Sequence, residues 1–428
     1  MPAYTAPIAA SVAPETVSLR TRLLATAMGC TALMLSAPAL AQPVPTPVQQ
    51  GSQAGDPAQS AAQDEPIVDP SVVSEEPVAI VEDDDIFVSV GSIVIDEVDT
   101  PGLLLDSNGG DAQVVNGDIE TYGDNSTGAW VEAQGNANAD LGEVVTHGDG
   151  STGLYVHSEG QTVTSPYGYG DYSIGTAHAG AVSVETFGTG SIGIHAVSDL
   201  NNAEVQSQNL VTHGDGSTGI LVEADYFAVV DSNILSTGGD DATGISISSD
   251  MAQVKSNEVV TQGDRSIGID VDARVAGLIE ANSVETSGDD AIGIRARANG
   301  GNLQVYNTSV VTTGDGATAL DLEALGSVLI ESDEVSTSGN NAVGVRALSR
   351  DYNLYAFLGS VSTLGDGATG ISVAANLAAD VEVDTVSTAG NGANGIEMFT
   401  AEGAATLRNG SVTTLGDDLT AILVESAS

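Results

Sequence analysis

The residues of this chain that could do chemistry recur at a fixed interval. An acid repeatedly follows a glycine in T-x-G-D copies, most regularly at Asp215, Asp240, Asp264, Asp289 and Asp315. Two explanations fit such a row. Asp and Asn bond their own downstream amides in tight turns. Alternatively, carboxylates stacked about 4.8 Å apart repel one another until a hard cation such as calcium neutralises them, although the nine-residue G-G-x-G-x-D calcium repeat is absent. His147 and His213 hold equivalent places in T-H-G-D, and Asp240-Asp241 and Asp289-Asp290 are adjacent acid pairs. Two carboxylates at a suitable separation hydrolyse glycosides, but residues that recur once per copy are also what a scaffold requires. Tyr167, Tyr169 and Tyr172 stand between glycines in an irregular stretch from Gln161 to about Val184. Rings on such a loop contact sugar or protein, or pack back on the scaffold. Tyr352, Tyr355 and Phe357 fall at strand spacing and read as a surface patch, and Arg295 and Arg297 share an outer face. No phosphate loop, dinucleotide fingerprint, zinc spacing or nucleophile elbow is present.

These residues are positioned by a repeat, V-x-T-x-G-D-x-x-T-G-I-x-V-x-A, seen as VVTHGDGSTGLYVHS at 144–158 and LVTHGDGSTGILVEA at 210–224. Its first glycine falls at 123, 148, 188, 214, 239, 263, 288, 314, 339, 365, 390 and 416, so the spacing is 24 to 26 residues apart from one interval of 40. Within a copy the apolar period is two, the strand signature: Ile220, Val222 and Ala224 share one side, Leu221 and Glu223 the other. Three short strands and their turns trace roughly 80 Å, one lap of a coil. Stacked laps place valine on valine and threonine on threonine in a narrow interior that suits small and β-branched side chains. Gly214 and Gly219 are expected to supply positive φ or tight corners. The expected fold is all-β, a parallel β-helix (β-solenoid) of about 12–13 coils over residues 86–428.

Composition frames the remainder. The chain has 428 residues and a net charge of −49, with ten Lys plus Arg against 59 Asp plus Glu. That balance excludes a phosphate-tracking nucleic-acid binder, which needs clustered cations, and disfavours anionic lipid. Residues 1–41 read as a secretory signal: Arg20 and Arg22, the apolar run Leu23 to Leu35, then Ala39-Leu40-Ala41 before the cut. Removal takes two Arg and one Glu and moves the charge to −50, and Cys30, the single cysteine, leaves too unless it is lipidated. Eleven of the 13 prolines precede residue 78, so residues 42–85 read as a disordered, Pro-rich acidic linker.

The repeat, the signal and the linker together resemble the passenger regions of bacterial autotransporters, secreted parallel β-helices with T-x-G-D-x-A-x-G-I repeats. The resemblance and the general crossover rule imply a right-handed coil. It implies a secreted or surface-displayed structural or adhesive solenoid, extracellular or on the bacterial cell surface after passing the periplasm. Its partners would be a host or neighbouring-cell surface, glycan or protein, with a separate outer-membrane barrel or capping chain, because Ser428 falls inside a repeat. It calls for no cofactor. The alternatives are a carbohydrate-active β-helix enzyme, from which the R-I-K clamp of polygalacturonases is missing, and a truncated autotransporter fragment.

Overall fold

Alternation decides which side of each strand is buried. In Thr218–Ala224, Ile220 and Val222 are fully buried while Leu221 is half-buried and Glu223 exposed. A strand with one apolar edge row must find parallel neighbours above and below, and the only sequence available at the right distance is the next copy of itself. In the computed structural model Ile220 pairs with Ile194 on one side and Ile245 on the other. The same column runs from Val78 through Leu103, Ala129 and Leu154, and ends at Ile396 and Ile422. The described residues form an all-β parallel solenoid of about 14 stacked turns, and none of them is helical. The structure describes residues 73–74, 76–164 and 171–427, with backbone alone at 73–74, 163–164 and 171–172. All fall in one compact unit, Gln63–Ser428. The signal segment, residues 42–72 of the linker, Tyr167 and Tyr169 lie outside the described residues.

Each turn has three faces, but two of them share one bent strand. Phe227–Gly238 buries Ala228, Val230 and Ser232, then exposes Asn233 and Ile234, then buries Leu235 and Thr237. The alternation slips by one residue at the bend, and the ladder skips Asn233 at the same place. The ladder begins earlier than composition indicates: Val78–Glu82 pairs with Leu103–Ser107, inside the stretch that reads as linker. The 40-residue interval is an excursion. Gln161–Thr164 and Asp171–Ile174 form an antiparallel hairpin, after which Ala177–Phe187 resumes register with Ala137–Thr146.

No buried hydrophobic side chain among the described residues is aromatic. The interior is Ile, Val, Leu and Ala with a column of threonines. The two glycine columns have different causes. Gly214 has φ +127, and a Cβ there would lie 2.2 Å from the Gly188 carbonyl oxygen one turn below. Gly219 is not in the left-handed region. A Cβ there would meet the Gly244 carbonyl oxygen at 2.6 Å, so close approach explains it, and Ala319 fills that column one repeat after Gly293.

Candidate functional site

The acid ladder is built into the stack. The Asp240 amide donates to Asp215 Oδ1 at 2.9 Å, Asp264 to Asp240 at 2.9 Å, Asp289 to Asp264 at 2.9 Å and Asp315 to Asp289 at 2.9 Å. Asp315 Oδ1 in turn accepts the Asn340 amide at 2.7 Å. The partner is the equivalent residue one turn on, not the downstream amide of the same turn. Asn340 and Asn391 serve in the row because the interaction needs only an oxygen. Among the described residues no group of three or more His, Cys, Asp or Glu is arranged to hold a metal ion. Asp264→Asn should therefore leave the unfolding midpoint nearly unchanged, whereas Asp264→Ala strands the Asp289 amide and costs about 1 kcal/mol. Urea melts of the two variants check this, and equal losses would assign the role to charge.

The acid pairs do not converge. Asp241 and Asp290, with φ +58 and +57, are the left-handed turn positions that follow the ladder residue. Arg265 bonds Asp241 through Nε at 2.7 Å and holds that carboxyl below its ordinary range. Arg295 is likewise committed, bonding Asp270 through Nε at 2.8 Å in an outward column that reads Asp270, Arg295, Asp321, Arg346.

The histidines mark a different surface. His147 stacks on Tyr122 at 4.5 Å and on Phe187 at 5.1 Å, and Phe187 stacks on His213 at 4.7 Å, one ring per turn. His147 Nε2 lies 3.0 Å from Glu120 Oε1, and His213 Nε2 lies 3.2 Å from Glu185 Oε1. The Tyr122 hydroxyl, and then His147, keep the Glu120 carboxyl below its usual range.

A second ring column stands outward on the Thr218–Ala224 face: Leu104, Trp130, Tyr155, His195 and Leu221 pair in register. Trp130 and Tyr155 are 4.4 Å apart, and Tyr155 and His195 5.1 Å. Glu132 Oε2 accepts the Trp130 Nε1 hydrogen at 3.0 Å, and its other oxygen lies 3.2 Å from His157 Nδ1. His157 Nε2 is 3.2 Å from Asp199 Oδ2, an ion-pair distance without hydrogen-bond alignment. His195 Nε2 is 3.2 Å from Glu223. This column escaped the sequence reading. Its signal is the residue two places after the second glycine of successive copies, visible only when the copies are aligned across the insertion. The excursion leaves the stack just after His157, and Tyr172 lies in its second strand. Tyr355 and Phe357 are half-buried outward residues of Leu354–Leu364, and Tyr352 is exposed.

Charge is divided along the rod. Residues 42–254 contain no Lys or Arg and all five His, whereas Lys255 and every later cation fall beyond them, where there is no His. A groove of about 630 Å³ in the first half is lined by Asp118, Asp140 and Asp231 with no basic residue. Asp118 Oδ1 already accepts the Glu143 amide at 2.9 Å, and Asp140 lies 3.3 Å from His178 Nε2.

His178 sits between Asp140 and Glu204 (3.7 Å) of the flanking turns. Glu204, ahead of Asp140, lifts the imidazole above its ordinary 6.5 against the effect of burial, and His178 lowers Glu204 below 4.5. The raised imidazole contributes stability that is complete below pH 6.5 and lost as pH rises through its folded value. The lowered carboxyl contributes stability that is present above pH 4.5 and lost as pH falls through its folded value. The pair is strongest between those limits. His195 runs the other way, since burial lowers its pKa. His178→Gln should therefore destabilise by roughly 0.5–1 kcal/mol at about pH 5.5 and by less at about pH 8.5. Thermal melts at the two values check this, and a loss independent of pH contradicts it.

Comparison of the chain with protein-family models, with curated proteins and with solved structures returned no match.

Proposed function

We propose that this chain is an exported, surface-displayed structural and adhesive rod of the kind that autotransporter passengers exemplify. The observation that carries the reading is the presentation of side chains: about 14 turns in register hold outward columns of rings and carboxylates at fixed spacing over the first half. The Asp–Arg columns of the second half are paired within the molecule. The committed Asp ladder and the separated acid pairs fit a scaffold. A stiff stack displaying repeated side chains suits multivalent contact with a cell surface, glycan or protein, because each added contact is intramolecular once the first has formed. The leader-like segment 1–41 supports export.

The test is localisation together with attachment. Antibody to residues 86–428 should label intact producing cells, and deletion of Leu23 to Leu35 should abolish labelling and retain the chain inside. Cells that display the rod should adhere to a neighbouring-cell layer better than cells that lack it. A chain found only in the cytoplasm, or display without any gain in adhesion, would remove the reading.

A further inference from the structure

The column Leu104, Trp130, Tyr155, His195, Leu221 is a half-buried outer face with a strong charge bias. Glu132, Asp199 and Glu223 border it, and the last two are more than half exposed at 54% and 55%. Among the described residues, the ion-pairing side chains beside them are His157 and His195, and burial keeps His195 toward its neutral form. No Lys or Arg occurs before residue 255 of the exported chain, so no permanently charged cation in this half of the molecule answers those carboxylates. Two groups register the excess. Burial, then Glu132, Asp199 and Glu223, push the Tyr155 hydroxyl up to about 12, and burial, then Glu132, raise the Asp106 carboxyl.

Ring geometry narrows the chemistry of the partner. Trp130 and Tyr155 are inclined by 51°, and Tyr155 and His195 by 72°, so the rings present separate faces, and the exposed carboxylates of Asp199 and Glu223 beside them favour a cation over a neutral sugar. A guanidinium or ammonium needs only one ring face with carboxylates beside it. Five rows at about 4.8 Å span roughly 19 Å, the reach of about six extended residues.

We propose that the Trp130–Tyr155 strip is the docking surface for an Arg- or Lys-rich extended segment of a partner protein, whose cations lie over the two rings and pair with Glu132, Asp199 and Glu223. The proposal rests on the adhesive reading and names the partner for it. Attraction to the whole acidic rod is a separate effect, and the test must discriminate against it.

Trp130 is the single tryptophan of the chain, so its emission reports this surface alone. The full chain is titrated with an acetylated, amidated hexa-arginine peptide in about 0.15 M salt, where long-range attraction is screened beyond ~8 Å. A saturable change in Trp130 emission is expected, with no change from hexaglutamate. Glu132→Gln with Glu223→Gln should weaken binding at least tenfold. Asp366→Asn with Asp417→Asn removes the same two charges from the ladder, where Asn occurs naturally, and should leave binding unchanged. The proposal is overturned by a silent Trp130, by equal weakening in both double variants, or by a neutral hexasaccharide replacing the peptide as the ligand that moves Trp130. Adhesion separates the two levels. If the displayed rod adheres and the Glu132→Gln, Glu223→Gln variant adheres equally, the docking surface is wrong and the adhesive reading stands. If the unaltered rod does not adhere, the adhesive reading falls.

Discussion

Replacing Gly214 with alanine should cost about 3–5 kcal/mol, because two separate penalties meet at that Cβ. The residue stays at φ +127, where an L side chain is strained by roughly 1–3 kcal/mol. The methyl would also lie 2.2 Å from the Gly188 carbonyl oxygen, a backbone atom that accepts the Ser217 hydroxyl at 3.1 Å, and overpacking adds about 1–3 kcal/mol. Gly219→Ala is the control. It carries no φ penalty, and the stack already tolerates Ala319 in that column, so about 1–2 kcal/mol is expected. Each turn touches only its neighbours, so the damage should be local. Hydrogen exchange should accelerate in the turns around residues 188–239 and not near residue 345. Equal losses for the two variants would show that φ is not what distinguishes the columns.

Substituting valine for Thr261, Thr286 and Thr312 together should raise stability by about 3 kcal/mol, near 1 kcal/mol each. All three are fully buried, and their hydroxyl oxygens have no hydrogen-bond partner within the protein. Their column continues through Thr337, Thr363 and Thr388 in the same condition. The methyl of Thr286 packs against the glycine column, 3.3 Å from where a Gly268 Cβ would stand. Valine preserves that methyl and the branched shape, and removes the desolvated hydroxyl. Urea unfolding of the triple variant measures the sum, and a lower midpoint would mean that the hydroxyls are hydrogen-bonded in solution.

Interior and period were legible because alternation is local: Ile220, Val222 and Ala224 declare one face without reference to any other copy. Relations between copies were less legible. The position of Asp215 could be read, but not its true partner, because the Asp240 amide is a neighbour across the stack and lies 25 residues away in sequence. The same blindness hid Trp130, Tyr155 and His195, which come together only after an excursion absorbs part of a 40-residue interval. Val78–Glu82 was obscured by its flanks, Pro77 on one side and Asp83, Asp84 and Asp85 on the other, so composition averaged the strand into the linker. The bend at Asn233 was legible as two strands. Only the ladder shows that the chain turns the corner without leaving the sheet.

The segregation of cations has a consequence for proteolysis. Trypsin-like proteases cut after Lys or Arg, and between Arg22 and Lys255 they find no such residue. The first such site after Arg22, Lys255, lies within Thr243–Gln262, a strand bonded along both edges, and a protease must draw its substrate out as a free extended segment. The half of the rod that carries the ring columns is thus invisible to one large class of digestive enzymes, folded or not.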